Sequence, residues 1–165
     1  MTVIPNTEVQ TSKWRAIVLF TLAFWVSGSL LLDLVIMPTL YATGMMAAPD
    51  FATTGYSVFW IFNRIELLCA ALALTGVLVL RNTEFFSASS RWVVPLSIAL
   101  LVVPLVYTYA LTPEMSSLGL PLNAFDTVEV PTAMNQMHMG YWLLELLKFG
   151  AIGALLGTYY GNRAE

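Results

Sequence analysis

Asp33, Arg64, Glu66, Glu145 and Lys148 are ionisable residues placed inside apolar stretches long enough to cross a bilayer. A charge at bilayer depth costs about 2.5 kcal/mol or more, so it faces protein or water and marks a site by default. The chemistry open to such a group of side chains is binding a proton, a small cation or a small polar ligand. The plainer role is structural: ion pairs that hold helix packing and register. Three acids stand against two bases, so pairing leaves one carboxylate over, which then takes a proton or sits near water or a cation. Lys148 follows Glu145 by three residues and can pair with it along a helix. Arg64 and Glu66 point about 200° apart on a helix that turns about 100° per residue, so they cannot share one neighbour. The expectation is a four-member layer with one outlier. Asn63, three residues before Glu66, adds a donor on that side.

A second candidate is the run Met134-Asn135-Gln136-Met137-His138-Met139, which holds the chain's one histidine. Thioether and imidazole are soft ligands suited to copper(I), so His138 with Met134 and Met137 forms a candidate metal site. Methionine also fills irregular apolar gaps, and packing is the competing role. His138 could serve as an axial haem ligand only with a methionine partner. A third feature is Gly150, Gly153, Ala154 and Gly157, two overlapping small-xxx-small pairs. They let another helix approach closely, within the bundle or between subunits. Enzyme signatures are weak: there is no Ser–His–Asp arrangement, no metal-spaced histidine pair and no Gly-rich phosphate loop. Cys69 is alone, which excludes a disulfide within the chain.

These residues need elements to position them. The chain has 165 residues, 58% hydrophobic and 10% charged, whereas a soluble domain is about 25% charged. Lipid must therefore cover much of the surface. Four spans are expected, at residues 14–37, 56–80, 92–111 and 139–160, with a polar N-terminus over 1–13 and a tail over 161–165. The reading is an all-α, four-transmembrane-helix bundle. Stops are expected at Pro38, Arg81, Pro113 and Gly161, and a kink near Pro104. Pro131 suits the first turn of a helix, so span four is expected to begin ahead of the membrane. Lys13, Arg15, Arg81, Arg91 and Arg163 flank one set of span ends, while loops 38–55 and 113–138 contain no Lys or Arg. The positive-inside rule then places both termini in the cytoplasm (or its stromal equivalent) and the long loops outside. Those loops hold Asp50, Glu114, Asp126 and Glu129, and every methionine but the first lies on their side of the chain. All five intramembrane charges fall in the outer half. With a net charge of −3 and no basic run, nothing points to nucleic acid.

The run Phe24-Trp25-Val26-Ser27-Gly28, then Asp33, then Val35-Ile36-Met37-Pro38-Thr39-Leu40-Tyr41 resembles the first span of a bacterial four-span family, domain of unknown function 4149. Phe62-Asn63-Arg64 resembles that family's Phe-x-Arg element, Gln136-Met137-His138 its Leu-His element, and Pro113 its proline after span three. The family is distantly similar to the copper-resistance D membrane domain and to a four-span haem-pathway oxidase. The resemblance implies a four-helix membrane fold with no settled activity, and its copper link adds weight to a metal at His138. Glu145 and Lys148 depart from the family pattern.

The expected function is a small integral membrane protein that handles a small cation, metal or ligand at the outer polar layer, in a bacterial inner membrane or a thylakoid-type membrane. An accessory or assembly subunit of a larger membrane complex, or a homo-oligomer joined through span four, is the alternative. A haem- or quinone-linked oxidoreductase is third.

Overall fold

Backbone N–H and C=O groups in lipid find no water, so an apolar chain must satisfy them within its own helices. The computed structural model describes residues 6–45, 48, 50–83, 91–125 and 132–161, and among them there is no strand. Met46, Asp126, Glu129, Pro131 and Arg163 lie outside the described residues. The elements are α1 (Asn6–Leu31), a π-turn (Leu32–Ile36), α2 (Met37–Ala42), α3 (Phe51–Asn82), α4 (Val93–Val106), a second π-turn (Tyr107–Leu111), α5 (Thr112–Phe125) and α6 (Thr132–Gly161). Four helical stretches are long and apolar enough to cross a membrane: Gln10–Ala42, Phe51–Asn82, Val93–Leu118 and Thr132–Gly161.

Two expected stops are corrected. The helices do not end at Pro38 or Pro113 but continue as α2 and α5, each proline standing second in the new helix. Proline lacks an N–H and its ring excludes the carbonyl four residues back. The chain widens by one residue just before it. The Met37 N–H bonds the Leu32 carbonyl, and the Thr112 N–H bonds the Tyr107 carbonyl, both five residues back. Helix α2 is capped by Thr43, followed by Gly44 at φ 71°, a left-handed position that suits glycine.

Helix α3 is central and packs against α1, α4 and α5, while α4 also meets α6. Near the chain ends, which we call the proximal half, the core is apolar: Val18, Leu22, Ala73, Val77, Leu80, Val93, Leu100, Ile152 and Leu155. Gly76 lets α1 and α3 approach, because a Cβ there would overlap Val18 Cγ2. Large apolar side chains such as Phe20, Phe24, Leu68, Leu143 and Leu146 point outward, as a lipid-facing surface requires.

Candidate functional site

The distal half, away from the chain ends, is held together differently. Span one contributes Trp25, Ser29 and Asp33, spaced four residues apart and therefore stacked on one helix face. Span two contributes Glu66, and span four contributes Tyr141, Glu145 and Lys148. Span three contributes Tyr107, from within the second π-turn. Asp33, Glu66, Glu145, Lys148 and Tyr107 are all at most 4% exposed.

Lys148 is the centre. Its Nζ lies 2.5 Å from Glu66 Oε1, 2.6 Å from Glu145 Oε1 and 2.9 Å from Ser29 Oγ, so its three N–H donors have three acceptors. Glu66 Oε1 also accepts from Trp25 Nε1 at 2.8 Å and from Ser29 Oγ at 3.3 Å. One carboxylate oxygen thus collects three donors, the environment of an ionised group. The Tyr107 ring lies 5.8 Å from the ammonium, within cation–π reach.

Asp33 and Glu145 are served less well. Asp33 Oδ1 accepts from the Tyr141 hydroxyl at 2.7 Å, and Glu145 Oε1 accepts from Lys148. Asp33 Oδ2 and Glu145 Oε2 are buried with no hydrogen-bond partner among the described residues. A buried polar atom left without a partner costs about 1–3 kcal/mol, and more when charged. Tyr141 joins all four spans: its hydroxyl reaches Asp33 and its ring packs edge-on to Phe59 at 6.0 Å. The same ring lies 5.1 Å from Tyr107, whose hydroxyl donates to the Tyr141 carbonyl. Asn63 ties spans two and three just beside the cluster, donating to Thr112 Oγ1 at 2.8 Å.

No family model, curated protein or solved structure matches this chain.

Four of the five expected layer residues therefore come together, and Arg64 does not. Its guanidinium is exposed, lies 3.3 Å over the Trp60 ring and donates to the Trp60 carbonyl. With Arg64 outside, the cluster has three acids and one base, so two carboxylates rather than one are in excess. His138 is exposed on the first turns of α6, with Nδ1 2.8 Å from the Met134 carbonyl oxygen, which leaves Nε2 to face any ligand. Met134 and Met137 are half-buried on the same turn. Among the described residues no three His, Cys, Asp or Glu side chains are arranged to hold a metal ion. Gly150, Gly153 and Gly157 have nothing within 4 Å of an added Cβ, and Ala154 is exposed, so this face does not pack inside the bundle.

Trp25, Ser29, Tyr107 and Tyr141 join the site in addition to the residues expected from the sequence. A signal was there for three of them: Trp25 and Ser29 precede Asp33 by eight and four residues, and Tyr141 precedes Glu145 by four, each on the same helix face. Tyr107 carried none, because it enters through a π-turn that shifts the helical phase.

Proposed function

We propose that this is a multi-pass membrane protein, with its termini in the cytoplasm, that binds a small cation, the proton included, at the distal cluster. The observation that carries the reading is the charge balance: three buried carboxylates face one buried ammonium, and two carboxylate oxygens have no donor. Two uncompensated negative charges in a dry interior are not tolerated, because the groups neutralise or take up a cation. The π-turns support the reading further. Such turns occur often at functional sites, and here they deliver Asp33 and Tyr107 to the same layer. Membership of the four-span family named above is part of this proposal. Two of its elements, around Gly28 and Phe62, meet in the bundle, where a Cβ on Gly28 would lie 3.5 Å from Phe62 Cε2.

Anything that binds the folded form raises its stability with concentration. The melting temperature of the purified protein in lipid nanodiscs should therefore rise with added protons, sodium or potassium. The response should vanish when Asp33→Asn and Glu145→Gln are combined. A wild-type melting temperature indifferent to all three ions would refute the proposal.

A further inference from the structure

We propose that the cation is a proton, carried on Asp33 and Glu145, while Glu66 and Lys148 remain a fixed ion pair. This rests on the reading of the cluster as a cation site and assigns its members different tasks. The assignment follows from the count of donors. Glu66 Oε1 receives Lys148, Trp25 and Ser29, the solvation an ionised carboxylate needs once water is gone. Lys148 has spent all three N–H groups on Glu66, Glu145 and Ser29, so none is left for Asp33. Among the described residues Asp33 accepts from the Tyr141 hydroxyl, and Glu145 accepts from the ammonium it shares with Glu66. Each keeps one oxygen that is buried and unserved, and a proton bound there removes the buried negative charge, which is the larger cost, and leaves a neutral O–H.

The same surroundings disfavour a metal ion. Hard cations take about six or more oxygen ligands, and Tyr141, which meets Asp33, is itself packed against the aromatic rings of Tyr107 and Phe59. The Lys148 ammonium in the same layer also repels a second cation. The groups that set the proton's environment come from every packed element. They are Asp33 from span one, Glu66 and Cys69 from α3, Tyr107 from the second π-turn, and Tyr141 and Lys148 from α6. Binding is a simple protonation: one O–H bond forms on a carboxylate, and release returns the proton to water with no other bond changed.

Infrared spectroscopy of the purified full chain in nanodiscs reads this directly, because a protonated carboxyl group has a carbonyl band separate from that of a carboxylate. At neutral pH the wild-type protein should show that band. Aspartate labelled with a heavy isotope at the side-chain carboxyl carbon should shift part of it, and labelled glutamate the rest, which requires no variant to fold. Asp33→Asn and Glu145→Gln should each remove one of the two contributions. A spectrum without the band at neutral pH, or a band lost only with Glu66→Gln, overturns the assignment. If the band is missing while sodium or potassium still raises the melting temperature, the proton assignment falls and the cation reading stands. If neither response appears, both fall.

Discussion

In the proximal half of the bundle the helices meet through Val18, Leu22, Ala73, Val77, Leu100, Ile152 and Leu155, with Gly76 giving α1 and α3 their close approach. In the distal half the same four spans meet through Trp25, Ser29, Asp33, Glu66, Tyr107, Tyr141, Glu145 and Lys148. The proximal contacts are short-range and tolerate exchange for other side chains of similar shape. The distal contacts are charged and interdependent, so removing one partner leaves others exposed to a dry interior. Membrane helices gain little from apolar burial against each other, because lipid is as apolar as leucine. The polar cluster and the apolar contacts near the chain ends thus give the two halves different kinds of cohesion.

The largest test of that difference is Lys148→Met. It leaves the Glu66 carboxylate buried with no cation, and breaking a buried pair this way costs about 3–5 kcal/mol. Thermal unfolding in nanodiscs should show a steep loss, and adding Glu66→Gln and Glu145→Gln to Lys148→Met should recover most of it. A single variant that melts like wild type would mean the cluster is not dry. Glu145 and Lys148 are not an isolated pair, as their spacing along α6 suggested. Removing both strands Glu66, so that double replacement is not expected to be benign.

A smaller effect is expected in the proximal half. Gly76→Ala drives a methyl group into Val18, and overpacking of this kind costs about 1–3 kcal/mol. Combining it with Val18→Ala should restore the melting temperature. If Gly76→Ala is neutral by itself, the close approach of α1 and α3 is not what orders this half. Smallest of all should be Arg64→Gln. Arg64 lies two residues from Glu66 in the chain, yet it is exposed against Trp60 and outside the cluster. Its melting curve should overlay the wild type, and a loss comparable to that of Lys148→Met would place Arg64 inside the layer after all.

Hydropathy and length were enough to specify an all-helical chain with four membrane-length helices, since lipid leaves the backbone no other way to satisfy itself. The spacing of Glu145 and Lys148 made their contact legible, because residues three apart on a helix are neighbours whatever surrounds them. Angular reasoning also separated Arg64 from Glu66, though it could not say which turned inward. Packing decided that, and it put Glu66 against Trp25, Ser29 and Lys148 from two other spans. Pro38 and Pro113 read as ends, but a proline can be absorbed by widening the preceding turn, a choice that depends on neighbouring helices. Those widened turns carry Asp33 and Tyr107 into the layer. The charges were therefore written in the chain, while their balance of three acids to one base exists only where four helices meet.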